Sequence, residues 1–464
     1  MVGKESKMKN KFIRKWLVIL TVAAMMIPAG IPANAETVEE GENIAPTAGI
    51  SAETPNVTAE TQKEEISAEM PDMTAETQNE EKSDVQAEGQ NQAKQGVLEA
   101  VRQNTEKAEE ASDAVDVQAE ERTAGEVQIG EQIYPTLTEA FAAAKDGDVL
   151  RLLENAEVSQ PILLTKNVTL DTNGFTVSAA AGFKGNFMFT NRGTFNIVGS
   201  GKIDGSVGTY PLIMINNTGG AVLNIQSSEI TGQGVVQNVG GIVNITGGTL
   251  TASARNTVLS QFGEVHIGAS AHLMAAGEGK SAVQLIGAKM TLSGDAVLSG
   301  NGGIDVFNSN RNEEGTVSAQ VEITGGRIET KDFPVSGNNQ ESAGAEVAIT
   351  GGSLKNISGG TAIYWPMEGQ LTIGGNAVIE GGTGIEAKMG TITIKDNAVI
   401  TGSGEWKEEK PQNGGANPEG SAFLGSAQMY DGCINDSSLV VNILGGTLKS
   451  VNGNAVTILS LIHI

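Results

Sequence analysis

Short runs of alternating apolar and polar residues, each followed by a glycine-containing turn, recur along the chain. Each run ends in Ile or Leu, and another apolar residue follows five or six positions later. The copies are FNIVGSGKI (195–203), LNIQSSEI (223–230), VNITGGTL (243–250), VHIGASAHL (265–273), MTLSGDAVL (290–298), VEITGGRI (321–328), VAITGGSL (347–354), LTIGGNAVI (371–379), ITIKDNAVI (392–400) and VNILGGTL (441–448).

The aliphatic residues that anchor these copies lie at positions 197, 225, 245, 267, 292, 323, 349, 373, 394 and 443. A repeat of roughly 20–30 residues without helical periodicity favours a solenoid, in which each turn supplies short strands. Alternation places the aliphatic side chains inward, and Gly-Gly permits sharp corners. A leucine-rich-repeat fold and a β-propeller are not favoured, because the sequence lacks the repeat signatures of both. We predict an all-β parallel β-helix of about eleven coils.

The last spacing, from 394 to 443, is about twice the others. It corresponds either to two coils or to one coil with a polar insertion around residues 405–438. At the other end, Thr136–Lys145 places Leu137, Ala140, Phe141 and Ala144 on one helical face. We expect a short helix that caps the core, then a turn at 146–148 and a strand over 149–153.

The segments before the repeats differ in composition. Residues 1–35 combine a basic start, a short apolar run and Ala33-Asn34-Ala35, which together predict a signal peptide cleaved after Ala35. Residues 36–125 carry 23 Asp and Glu against 6 Lys and Arg, have no aromatic residue, and duplicate a sixteen-residue unit at 50–65 and 66–81. We expect this segment to be a disordered acidic linker before a β-helix at 126–458.

Charge and cysteine content restrict the functional classes. The formal net charge of −25 argues against binding nucleic acid through phosphates, which needs clustered Lys and Arg. Cys433 is the single cysteine, so disulfides do not stabilise the fold. We expect no membrane span in the mature chain, because the apolar run near the N-terminus is shorter than the roughly 20 residues required.

Two segments carry a resemblance to a known family. Residues 127–177, including TLTEAFAAAKDGDVLRLL, resemble the N-terminal cap of pectate-lyase-like right-handed parallel β-helix proteins. The repeated ITGGTL-like units and the segment 360–394 resemble the coils of large, adhesin-like surface proteins of Gram-positive gut bacteria. The resemblance covers about 126–458. It implies a right-handed helix with an N-terminal cap, and a family that contains adhesin-like proteins, polysaccharide lyases and glycosidases.

The final six residues, 459–464, read LSLIHI, which a common transposon-adapter sequence encodes. We therefore hypothesise that 459–464 is a sequencing artefact and that the reading frame is truncated there.

Candidate metal ligands and acid–base groups are sparse. His266 and His272 lie in one coil, and alternation points His266 outward. A metal site needs several convergent ligands, so we expect both to be surface histidines and no cofactor to be bound. Calcium would be implied only by the lyase alternative. The coil aspartates that would have to hold it are scattered, at 171, 204, 295, 305, 332 and 396.

Aligning the coils on Val236, Val258, Val283, Ile304, Ile363 and Ile385 predicts one outward column. Its members are Gln237, Leu259, Gln284, Asp305, Tyr364 and Glu386. Aromatic faces beside acids and amides are suited to sugar rings, so Tyr364, Trp365, Glu386 and Asp305 are the candidate binding residues. The alternative is that Trp365 is a packing residue.

The sequence thus favours a secreted or cell-surface, non-enzymatic protein that contacts glycans, extracellular matrix or other cells. The alternatives are a polysaccharide lyase or glycoside hydrolase acting on acidic polysaccharide, and a passive surface stalk for missing C-terminal domains.

Overall fold

The computed structural model describes residues 125–206, 211–307, 309–311, 315–337, 344–405, 419–426, 428–430, 433–434 and 439–459. The predicted signal peptide and nearly all of the predicted linker lie outside these residues. The same holds for the predicted artefact, except that Leu459 ends the last strand. The side chain of Cys433 is likewise outside the described part of the chain.

Three long sheets form a right-handed parallel β-helix, as predicted. Sheet A contains, in spatial order, β2 (Gln132–Tyr134), β1 (Val127–Ile129), β3 (Val149–Leu152), β6 (Val168–Asp171), β9 (Thr194–Val198), β12 (Val222–Ile225), β15 (Ile242–Ile245), β18 (Glu264–Ile267), β21 (Lys289–Leu292), β26 (Gln320–Ile323), β29 (Ala345–Ile349), β32 (Gly369–Ile373), β35 (Gly390–Ile394) and β40 (Leu439–Ile443).

Sheets B and C contain twelve strands each. Sheet B is made of β4 (Ala156–Val158), β7 (Thr176–Ala179), β10 (Lys202–Asp204), β13 (Glu229–Gly232), β16 (Thr249–Ala252), β19 (His272–Ala275), β22 (Val297–Gly300), β27 (Arg327–Thr330), β30 (Ser353–Asn356), β33 (Val378–Gly381), β36 (Val399–Glu405) and β41 (Thr447–Asn452). Sheet C is made of β5 (Ile162–Leu164), β8 (Phe187–Asn191), β11 (Ile213–Thr218), β14 (Val236–Val239), β17 (Val258–Gln261), β20 (Ser281–Ile286), β23 (Gly302–Phe307), β28 (Val335–Gly337), β31 (Thr361–Trp365), β34 (Thr383–Ala387), β37 (Phe423–Ser426) and β42 (Val456–Leu459).

Three consecutive strands, one from each sheet, make one coil. Coil 1 is β3, β4 and β5, and coil 12 is β40, β41 and β42, so the described residues form twelve coils, where the sequence predicts about eleven. Two antiparallel strand pairs lie outside the sheets: β24 (Ser309–Arg311) with β25 (Gly315–Val317), and β38 (Gln428–Tyr430) with β39 (Cys433–Ile434).

The predicted anchor residues form a single inward column of sheet A. Ile197 pairs with Ile225, Ile225 with Ile245, and the register continues without a break to Ile443. Ile394 lies directly opposite Ile443, so the long spacing between them is one coil with an insertion. All ten anchors except the last are essentially inaccessible to solvent.

The N-terminal end of the core is covered, as expected. Helix α1 (Leu137–Ala143) is slightly shorter than predicted, because Ala144 leaves the helical conformation. The Thr136 side chain caps it by accepting a hydrogen bond from the Glu139 amide at 3.2 Å. Phe141 packs edge-on against Phe189 and Phe195, with ring centroids 5.9 and 6.1 Å away. No helix in the described ranges is long and apolar enough to cross a bilayer.

The Gly-Gly corners between sheets A and B follow from backbone geometry. The second glycine has positive φ in the repeated units, for example +83° at both Gly248 and Gly326. A Cβ atom at Gly326 would lie 2.8 Å from the Ala296 carbonyl oxygen, so a larger residue would strain both the backbone and the stacking of coils.

A ladder of buried asparagines, which the repeat pattern does not predict, joins the end of sheet C to sheet A. Asn191 donates to the Oδ1 atom of Asn217 at 2.8 Å, Asn217 donates to Oδ1 of Asn238 at 2.9 Å, and Asn238 donates to Oγ of Ser260 at 3.0 Å. These side chains also donate to corner carbonyls such as those of Ala221 and Gly241. The ladder therefore satisfies backbone groups that the turns leave unpaired.

We expect Asn217→Ala to lower the free energy of unfolding by about 1–3 kcal/mol, because it leaves buried donors and acceptors unsatisfied. The matched control is Asn244→Ala. Asn244 donates to Asn224 at 2.8 Å in a similar ladder on the partly exposed outer face of sheet A. Chemical denaturation followed by circular dichroism measures both, and equal losses would contradict the structural role of the buried ladder.

Candidate functional site

The long connections between strands all lie beside sheet C. Connections from sheet A to sheet B span three or four residues in every coil, such as 246–248 and 324–326. By contrast, all six connections longer than five residues begin or end at a strand of sheet C: 180–186, 205–212, 308–319, 338–344, 406–422 and 427–438. In solenoid proteins, insertions of this kind border the binding face. Four of the six fall in coils 7–11.

The predicted outward column runs along this face in the predicted register. Gln237 pairs with Leu259, Leu259 with Gln284, and Gln284 with Asp305. The column continues through Ser336, Tyr364 and Glu386. The sequence alignment omitted Ser336, because its strand has only three residues and follows Pro334.

Tyr364 and Glu386 belong to a buried cluster at one end of this column. The Nζ atom of Lys388 lies 3.2 Å from Oε1 of Glu386, and both side chains are fully buried. The same Nζ lies 5.9 Å from the centroid of the Tyr364 ring. Phe333 stacks on that ring, with centroids 5.2 Å apart and planes 24° from parallel. Burial raises the pKa of the Tyr364 phenol, and the Glu386 carboxylate adds to the shift.

Asp305 lies in the middle of the column and is partly buried. Its two carboxylate oxygens accept hydrogen bonds from Ser281 Oγ at 2.6 Å and from Ser336 Oγ at 2.5 Å. Burial raises the pKa of this carboxyl group, although the two hydroxyls oppose the shift. Asp305, Gln284 and Phe333 are the partly accessible members of the site.

Trp365 is separated from the other three candidate residues. It is fully buried among the hydrophobic core residues, because successive side chains of a strand point to opposite faces. Its Nε1 atom has no hydrogen-bond partner in the described part of the chain. The outer face therefore presents Tyr364 without Trp365, as the packing alternative for this residue implied.

The register also gives the spacing of the two acids. Asp305 and Glu386 are three coils apart, and at about 4.8 Å per coil their backbones are separated by roughly 14 Å. Glycosidase carboxyl pairs lie about 5–10 Å apart. The backbone spacing of Asp305 and Glu386 exceeds that range.

A depression lies on the outer face of sheet A. Its volume is about 490 Å³, and its lining includes Glu264, His266, Lys289, Thr291 and Glu322. His266 points outward as predicted: its Nδ1 atom lies 2.9 Å from Thr291 Oγ1, and its Nε2 atom lies 3.6 Å from a Glu264 oxygen.

His272 lies on sheet B and is 2.9 Å from Ser299 Oγ. Burial lowers the pKa of His272, and Arg327 adds to this shift. Among the described residues, no three His, Cys, Asp or Glu side chains converge as metal ligands would.

Comparison with models of protein families, with curated proteins and with solved structures finds no significant match.

We expect Lys388→Met to lower the free energy of unfolding by about 3–5 kcal/mol, because it leaves the Glu386 carboxylate buried beside an apolar group. The double variant Glu386→Gln with Lys388→Met removes both charges and should recover a large part of that loss. Denaturant titrations of the two single variants and the double variant give the coupling. Additive losses would show that the two charges do not stabilise each other.

The Asp305 carboxyl predicts a pH effect of defined sign. Because the pKa of Asp305 is raised in the folded protein, protonation of this carboxyl group favours the folded state. This contribution to the free energy of unfolding is complete below about pH 4 and is lost as the pH rises through the folded-state pKa. The wild type should thus lose stability relative to Asp305→Asn between pH 4 and pH 7. Thermal unfolding of both proteins at several pH values measures this difference, and parallel pH profiles would contradict it.

Proposed function

We propose that this chain is a secreted or cell-surface, non-enzymatic protein, adhesin-like in function, that binds carbohydrate on the outer face of sheet C. The observation that carries the proposal is the distribution of insertions. Every connection longer than five residues borders sheet C, while the corners between sheets A and B are three or four residues long in every coil. Insertions concentrated at one face of a repeat protein are what a binding role at that face would select.

The chemistry of the face supports a sugar ligand. The ring of Phe333 is partly accessible, and it stacks on the buried ring of Tyr364. Asp305 and Gln284 lie on the same column and offer hydrogen-bonding groups. Sugar rings bind by apolar contact with an aromatic face together with hydrogen bonds at their edges. In this proposal the buried ion pair of Glu386 and Lys388 fixes the position of Tyr364 and does not contact the ligand.

The architecture is also what the resemblance to pectate-lyase-like surface proteins of Gram-positive gut bacteria implies. We propose membership of that group on the capping helix and the repeated coils. Export by a signal peptide at 1–35 and display on the acidic segment 36–125 belong to the same proposal. The partners would be glycans, extracellular matrix or other cells.

We expect Phe333→Ala to weaken glycan binding by roughly tenfold, or about 1.4 kcal/mol, because it removes the accessible stacking surface. Tyr364→Ala should have a similar effect by removing the support for that ring. The matched control is Leu259→Ala, since Leu259 lies in the same column in coil 5, between short corners. A glycan array identifies ligands, and titration calorimetry then measures the affinity of each variant.

The outcomes separate the three functional hypotheses. Wild-type affinity in both the Phe333→Ala and the Tyr364→Ala variants would remove the sheet C face from consideration. Absence of any glycan ligand would favour a passive stalk. New unsaturated or reducing ends, after incubation with acidic polysaccharides in the presence and absence of calcium, would favour a lyase or hydrolase.

A further inference from the structure

Side chains beside the border of sheets B and C contact the outward column in a regular way. Asn256, Ser281 and Phe333 occupy equivalent positions in coils 5, 6 and 8, three residues before the column member of their own coil. Each contacts the column member of the next coil, and the pairs are Asn256 with Gln284, Ser281 with Asp305, and Phe333 with Tyr364. Contacts between successive coils therefore fix the column side chains from coil 6 to coil 9.

Coil 7 departs from this pattern. Its residue at the equivalent position is Gly302, which has no side chain, and its corner before sheet C is the single residue Asn301. The corresponding corners of coils 6 and 8 contain five and four residues, 276–280 and 331–334. Asn301 turns toward coil 6, where it donates to two corner carbonyl oxygens at 2.9 and 3.0 Å. We call the recess between these two corners the coil 7 notch, and Asp305 lies in the strand that begins there.

Asp305 and its two serine partners present only hydrogen-bond acceptors. The hydroxyls of Ser281 and Ser336 have one proton each, and both donate it to the carboxylate, at 2.6 and 2.5 Å. Each carboxylate oxygen keeps a further acceptor position. The two serines are buried, so the partly accessible Asp305 is the acceptor that a ligand meets. A Cβ atom at Gly302 would lie 2.6 Å from Oγ of Ser281, so the glycine preserves this arrangement.

The neighbouring coils supply a donor and a ring. Gln284 is one coil from Asp305, at about 4.8 Å along the helix axis. Its Oε1 atom accepts a hydrogen bond from Asn256 at 2.9 Å, so the amide offers its N–H groups to a ligand. On the other side, coil 8 supplies the partly accessible ring of Phe333. Coils 6, 7 and 8 thus present a donor, an acceptor and an apolar face in that order.

We propose that this site is selective for neutral sugars, whose hydroxyls donate to Asp305 in the coil 7 notch, and that it excludes sugars with a carboxylate at the same edge. A sugar hydroxyl is both a donor and an acceptor, so it satisfies Asp305 and Gln284 equally well. An ionised carboxylate only accepts, and it would meet the oxygens of Asp305 with the same charge. The inference rests on the proposed glycan binding and adds the class of sugar.

The charges around the notch support the same selectivity. The coil 6 corner carries Glu278 and Lys280, and the coil 8 corner carries Lys331 and Asp332. The formal charges within each corner cancel, so the charge that remains beside the notch is the negative charge of Asp305. The formal net charge of −25 on the whole chain also disfavours the approach of an anionic polysaccharide.

The test compares matched sugars that differ in one group. Oligosaccharides of galactose and galacturonic acid, and of glucose and glucuronic acid, are titrated into the full chain at pH 7 by calorimetry, together with the same pair for any other ligand found on a glycan array. We expect the wild type to bind the neutral member of a pair at least roughly tenfold more tightly. Asp305→Asn removes the charge and adds an N–H donor, so it should reduce this ratio to within about threefold.

The matched control is Asp295→Asn, the same substitution at an exposed corner between sheets A and B, which should keep the wild-type ratio. Circular dichroism verifies that the variants are folded, and the wild-type ratio alone decides if Asp305→Asn is not. Equal or tighter binding of the acidic sugar overturns the proposal, as does a folded Asp305→Asn variant with the wild-type ratio. An acidic ligand whose binding Phe333→Ala weakens would overturn the selectivity and leave glycan binding on sheet C in place, whereas a chain that binds no glycan removes both.

Discussion

Stacking of one coil on the next is the interaction on which the whole structure depends. A single coil has too few apolar residues to bury its inner face, and its strands have no partners within the coil. Each added coil buries the aliphatic columns of its neighbour and pairs three edge strands at once. The register is therefore uninterrupted from Ile197 to Ile443, because a slip of one residue would turn the apolar side chains outward.

The same constraint determines where variation is tolerated. The corners between sheets A and B contain glycines with positive φ that lie against the backbone of the preceding coil, as at Gly326, and every corner is three or four residues long. The two borders of sheet C accept connections of very different length without altering the register of the strands. Asp305, Ser336, Tyr364 and Glu386 therefore keep their order on a rigid column, although the sequence between them varies in length.

The fold can be predicted from the sequence because equivalent positions of successive repeats are also the positions that pair between neighbouring coils. Once Ile323 and Ile349 are recognised as equivalent, their pairing follows, and so does the outward direction of Tyr364. The cluster around Tyr364 was harder to predict. Phe333 and Lys388 lie in irregular segments beside the column and reach it through their side chains, so no periodicity marks them. Trp365 is adjacent to Tyr364 in sequence, but strand alternation places the two side chains on opposite faces of the sheet.

The direction of the inter-coil hydrogen bonds has a mechanical consequence. These bonds run along the helix axis, so tension applied between the two ends of the helix acts parallel to them and loads the outermost coil first. Such a helix would lose coils one at a time under tension, each releasing the length of chain that the coil and its connections contain. A load applied at the outer face of sheet C would leave the coils beyond that point free of force.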